Sequence, residues 1–222
     1  MFSMEERRNE RMNDYGNEIS LRTYNTILGL TVFLGLALNF LMVQTCYEFV
    51  ASINPLVLFI GYFVSVLIGT FMSRLSKNPA ISFFGYLLIA VPIGLLLAVA
   101  LPGESLSDIL LAIALTGVVV VSMIGLSILY PEFFATLGKT LLITLLIVFV
   151  VELVSVLVFH YNGVIFDYIM VGIFSLYIGF DWYRAQIFPK TVDNAIDCAI
   201  DIYLDIINLF LRILSILSKR RD

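Results

Sequence analysis

Residues 195–217 read A-I-D-C-A-I-D-I-Y-L-D-I-I-N-L-F-L-R-I-L-S-I-L, an apolar run carrying Asp197, Asp201, Asp205, Asn208 and Arg212. At about 100° per residue with Asp197 at zero, Asn208 falls at about 20°, Asp201 at about 40°, Arg212 at about 60° and Asp205 at about 80°. All five share one narrow stripe. A row of this kind can glue a helix bundle together. Several acids on one intramembrane face also provide the chemistry of an ion or proton path.

Magnitudes decide where the stripe points. Each Leu, Ile or Phe favours insertion by roughly 0.3 to 0.6 kcal/mol, and each central Asp or Arg opposes it by roughly 2.5 to 3.5 kcal/mol. A lipid-facing stripe would cancel most or all of the gain. The stripe must therefore face other helices or water.

The rest of the chain supplies those helices. Of the 222 residues 60% are hydrophobic, and the mean hydropathy is +1.00, far from a soluble domain. Apolar runs of bilayer length fall at 24–45, 52–73, 80–101, 106–129, 139–159, 163–184 and 195–217. The expected fold is an all-α membrane protein, a seven-transmembrane-helix bundle. It comprises a polar cytoplasmic N-terminal tail (1–23), a transmembrane domain (24–217) and a short basic tail (218–222). The first 23 residues mix both charges and lack the apolar core and cleavage site of a signal peptide. Cys46 and Cys198 lie on different predicted helices near opposite ends, which argues against a disulfide, and no metal-ligand spacing or cofactor motif is present.

Lys and Arg set the expected orientation. Arg7, Arg8, Arg11, Arg22, Arg74, Lys77, Lys139, Arg184 and Lys190 all fall on one side, and the loops around 46–52, 102–104 and 160–163 carry none. The N-terminus is therefore expected inside. Seven crossings would put Lys219, Arg220 and Arg221 outside; either a short basic tail is tolerated there or the last segment turns back.

Turn signals match the breaks between spans: Asn54-Pro55, Asn78-Pro79, Pro102-Gly103, Tyr130-Pro131 and Pro189. Such short loops make neighbours antiparallel. Gly29, Gly35, Gly61 and Gly69 are read as packing positions. Glu152 and Asp167, in the outer parts of spans five and six, either snorkel or bond a hydroxyl, or line an outer vestibule that concentrates cations. His160, the one histidine, sits at the outer boundary and is read as solvent-facing.

Span six ends I-G-F-D-W-Y-R-A-Q, which places Asp181 about one turn from the inner boundary. Asp205 lies about 15 Å into the last helix, which enters from that side. A tilt or kink would bring the two carboxyls level, with Arg74 at the inner end of span two as the positive partner. Two carboxyls a few Å apart in a low-dielectric site cannot both ionise cheaply, so they share a proton and titrate together.

The segment D-I-Y-L-D-I-I-N-L-F-L-R-I-L resembles the C-terminal signature of the transmembrane Bax inhibitor motif family, close to L-Y-L-D-x-I-N-L-F-x-x-L-L. It matches at Tyr203, Leu204, Asp205, Ile207, Asn208, Leu209 and Phe210. Asp181 falls where that family has its other aspartate, usually in Y-D-T-Q or Y-D-x-x-Q; here Phe180 replaces the Tyr, and Trp182 and Tyr183 follow. Arg74, in F-M-S-R, aligns with a basic residue that sits beside the pair in bacterial members.

The resemblance implies a central C-terminal helix surrounded by the other six. It also implies a pH-sensitive calcium leak, with roles in calcium homeostasis and, in eukaryotic members, in suppressing cell death. The short loops suit a bacterial inner membrane. On this reading the Asp181–Asp205 pair is the gate and transient calcium site, Arg74 is its partner, and Asp201, Asp197, Asn208 and Arg212 line the pore or its acidic mouth. Calcium is the transported ion; no cofactor is expected, and lipid, calcium and protons are the partners.

Rival functions each have a discriminating feature. Some bacterial relatives of the family modulate a membrane-bound quality-control protease through a mobile N-terminal tail, a part that residues 1–23 could play. A proton-coupled cation carrier would require a counter-gradient of protons. An intramembrane aspartyl protease also has two aspartates on consecutive helices, but requires G-x-G-D and P-A-L stretches where this chain has G-F-D and Y-L-D. A retinal protein needs a lysine in the last span, which has none between 195 and 218. The absence of a nucleotide loop, a nucleophile triad or a nucleic-acid motif completes the expectation of a non-enzyme.

Overall fold

Each predicted turn signal sits at a helix boundary in the structure, a computed structural model that describes residues 18–161 and 163–220. Ser20 accepts a hydrogen bond from the Thr23 amide and starts helix α1 (Leu21–Thr45) three residues before the predicted span. A short α2 (Tyr47–Ala51) follows. Asn54 caps α3 (Pro55–Leu75), whose first residue is a proline. Next come α4 (Pro79–Ala100), a 3-10 turn (Leu101–Gly103), α5 (Leu106–Leu129), the short α6 (Pro131–Ala135), α7 (Gly138–Phe159), α8 (Val164–Ile187) and α9 (Val192–Lys219). Residues 1–17 of the expected tail, with Arg7, Arg8 and Arg11, and Arg221 at the other end lie outside the described residues.

Six of these helices are long and apolar enough to cross a membrane: α1, α3, α4 with its 3-10 turn, α5, α7 and α8. Helix α9 has the length but too many charges to qualify by composition. It is one uninterrupted helix of 28 residues, about 42 Å long. Its far end reaches the start of α8, where Lys219 Nζ donates to Asp167 Oδ2 at 2.8 Å. The last segment therefore runs back along α8 and does not turn back midway.

Two compact units divide the chain. The first is formed by the residues up to Val99 with Ile187–Ile200, the second by Ala100–Gln186 with the residues from Asp201 on. Within the first, α3 and α4 approach to backbone contact at Gly69 and Gly85. A Cβ on Gly85 would lie 2.6 Å from the Gly69 carbonyl oxygen, so a side chain there would force the helices apart. Gly29 and Gly61 face open space instead. Pro92 inside α4 has no amide hydrogen for the Leu88 carbonyl one turn back, and Ser65 Oγ of α3 donates to that carbonyl at 2.7 Å. Tyr86 Oη donates to the Thr31 carbonyl at 2.8 Å, tying α4 to α1.

Within the second unit, Ser127 Oγ of α5 donates to the Gly179 carbonyl of α8 at 2.7 Å. The Phe134 ring of α6 packs where a Cβ on Gly179 would stand, and the Phe180 ring fills the space beside Gly138 at the start of α7. Large apolar side chains on α3, α5 and α7 are exposed, among them Phe71, Val121 and Leu157. Lipid is the medium that accommodates such a surface.

Candidate functional site

The polar stripe of α9 is nowhere exposed: every residue from Val192 to Lys219 is buried or half-buried. Its partners fall into three groups. In the first unit, Ser82 Oγ of α4 donates to Asp193 Oδ1 at 2.6 Å, and Ser73 of α3 donates to Asp197. Both serines are buried. Near them the Tyr24 hydroxyl of α1 donates to Cys198 Sγ at 3.4 Å, and the Lys190 ammonium lies 4.8 Å from the centre of the Tyr24 ring. These side chains fasten the first two turns of α9 to α1, α3 and α4 with hydroxyls.

The second group joins the end of α8 to α9 within the second unit. Asp181 and Asp205 are buried, and their carboxyls are near enough to act on each other electrostatically. Arg184, one turn beyond Asp181 on α8, contacts Asp181 Oδ1 at 3.3 Å and donates to Asp201 on α9. Its guanidinium also lies 5.8 Å from the centre of the Phe180 ring. Arg184 thus meets two of the carboxyls, Asp181 and Asp201, while Asp205 Oδ2, buried, has no hydrogen-bond partner among the described residues. A buried carboxyl oxygen without a donor is costly to leave ionised. A proton, a water or a passing cation would complete it.

The third group lies about 21 Å away along α8, the rise of the fourteen residues from Asp167 to Asp181. Arg212 of α9 donates to both oxygens of Glu152 on α7, at 2.8 Å from Nη2 to Oε2, and from Nη1 to Asp167 Oδ1 at 3.0 Å. Ser215 Oγ donates to Asp167 Oδ2 at 2.9 Å, where Lys219 also binds. Here two carboxylates meet two cations.

The other residues singled out from the sequence are placed as follows. Asn208 Nδ2 donates back to the Leu204 carbonyl of its own helix at 2.8 Å. Arg74 is exposed in the last turn of α3. His160 ends α7 in the left-handed conformation, with φ 51°, and is exposed. Sequence reasoning misses Arg184, Asp193, Ser73, Ser82 and Lys219 as site residues. The periodicity that finds Asp197 and Asp201 also places Asp193, one turn earlier, on the stripe. Nothing in a single sequence pairs serines of α3 and α4 with it.

The profile of the family described as Bax1-I, inhibitor of apoptosis-promoting Bax1, matches residues 16–222. Two Helicobacter pylori proteins from different strains, each described as uncharacterized, are 28% identical over 212 residues, covering 94% of this chain and 84% of each relative. No solved structure gives a significant match. With a match over nearly its whole length and six apolar helices of bilayer length, this chain is a membrane protein that belongs to the Bax1-I family.

Proposed function

We propose that the protein is a pH-sensitive calcium leak, gated by a proton shared between Asp181 and Asp205. The observation that carries the reading is the burial of these two neighbouring carboxyls, with Asp205 Oδ2 lacking a hydrogen-bond partner among the described residues. Two unit charges 4 Å apart at an effective dielectric of 20 repel by about 4 kcal/mol, equivalent to about three pH units. With one proton the pair holds α8 to α9; without it the repulsion drives them apart. Arg74 is the cation assigned to the open state by its likeness to the basic residue of bacterial members.

On this reading the fold is a seven-crossing bundle with α9 at its centre, supported by the absence of an exposed residue between Val192 and Lys219. Asp201 and Asp197 form the acidic mouth. Oxygen ligands suit calcium, and so few carboxylates do not trap it. The protein acts as a transporter rather than an enzyme, with its N-terminus inside. A bacterial cytoplasmic membrane is supported by the Helicobacter relatives.

Calcium flux into proteoliposomes across pH 5 to 8 tests the proposal. Wild type should switch steeply with pH, and Asp181→Asn should flatten the curve. A steep, unshifted curve in that variant would overturn the gate.

A further inference from the structure

We propose that Arg184 is the positioning residue that sets the pH at which the Asp181–Asp205 pair switches, and that Asp201 tunes that pH by holding the Arg184 guanidinium. The inference rests on reading the pair as a proton-sharing switch, and does not depend on which ion passes.

The geometry is specific. One guanidinium nitrogen, Arg184 Nη2, meets both Asp181 Oδ1 on its own helix at 3.3 Å and Asp201 on α9. Its side chain is 26% exposed, against 7% for Asp181 and 12% for Asp201, so a half-buried guanidinium faces two less exposed carboxylates. Around the pair stand Tyr177 and Arg184 of α8 and Asp201 of α9. The Arg184 guanidinium, beside Asp181 Oδ1, favours the ionised carboxylates and so loss of the shared proton. Asp201 opposes that loss, both by its own charge and by drawing the guanidinium toward itself. Removing one partner therefore moves the switch in the opposite direction from removing the other, a signature that a merely structural ion pair would not give.

Trp182, the sole tryptophan of the chain, lies between Asp181 and Arg184 in sequence. Its emission reports on this group whether or not calcium moves. The full-length protein in liposomes is titrated from about pH 4 to pH 9 while that emission is read. Wild type should show one transition that Asp205→Asn removes. In Arg184→Gln the midpoint should rise by about one pH unit, the lower end of what an adjacent charge produces; Arg184→Lys should restore most of the wild-type midpoint, and Asp201→Asn should lower it.

A transition removed by Asp205→Asn but unmoved in Arg184→Gln and Asp201→Asn would overturn this inference and leave the pair standing. If Arg184→Gln does not assemble, Asp201→Asn decides, and an unmoved midpoint there overturns it. A wild-type transition that survives Asp205→Asn would overturn the pair and the inference together.

Discussion

The two ends of α9 in the second unit use the same residue types to opposite ends. Near Asp167, two carboxylates meet Arg212 and Lys219, with Ser215 filling a remaining acceptor. Near Asp181, Arg184 meets Asp181 and Asp201, and Asp205 Oδ2 has no hydrogen-bond partner among the described residues. A matched network buried among helices acts as a staple: breaking any member leaves an uncompensated charge. A buried carboxyl oxygen without a donor disfavours the ionised form. The comparison teaches that a polar stripe on a membrane helix is not one functional object, because the donors that neighbouring helices bring to each carboxyl decide how firmly each part is held, and the proposed pH switch lies in the part with a carboxyl oxygen lacking one.

Arg212→Met should have the largest effect on stability. It strands Glu152 and Asp167, and a loss of about 3 to 5 kcal/mol is expected, read as a fall in the thermal unfolding midpoint in detergent or as failure to assemble. A cost near zero would remove the distinction between the two ends. Glu152→Gln comes next. Helix α7 is the least buried of the six apolar helices, so losing its charged tie to Arg212 should cost about 2 kcal/mol and raise hydrogen exchange in α7 above that in α8; equal exchange in both would count against the staple.

Ser215→Ala removes one donor to Asp167 while Arg212 and Lys219 remain, so a loss of about 1 kcal/mol is expected in the same unfolding assay. A loss as large as that of Arg212→Met would show that the hydroxyl, not the guanidinium, holds the network. The smallest change in stability belongs to the other end. Asp205→Asn lowers the excess negative charge beside Asp181 and Asp201, and stability at neutral pH should stay within about 1 kcal/mol of wild type.

The helices were legible in the sequence because their signals are local. Asn54 and Pro55 start α3, Pro79 starts α4, and the apolar runs set the lengths. The stripe on α9 was legible for the same reason, since Asp197, Asp201 and Asp205 recur at one-turn spacing. Pairing between helices was not. From their distances to helix ends Asp181 and Asp205 come level only with a tilt or a kink, and the partnership of Arg184 with Asp201 depends on the rotation of α8 about its own axis, which the apolar pattern leaves open. Arg212 bonds Glu152 and Asp167 because α7 and α8 both turn an acid toward it. Neither acid announces this, being isolated among apolar neighbours.

The central claim is that proton sharing by Asp205 closes the path. Calcium flux by Asp205→Asn proteoliposomes across pH 5 to 8, set beside Ser215→Ala and wild type, tests it most directly. The account predicts a flat profile for Asp205→Asn and an undisturbed, steep one for Ser215→Ala. An Asp205→Asn curve that overlays wild type would contradict it.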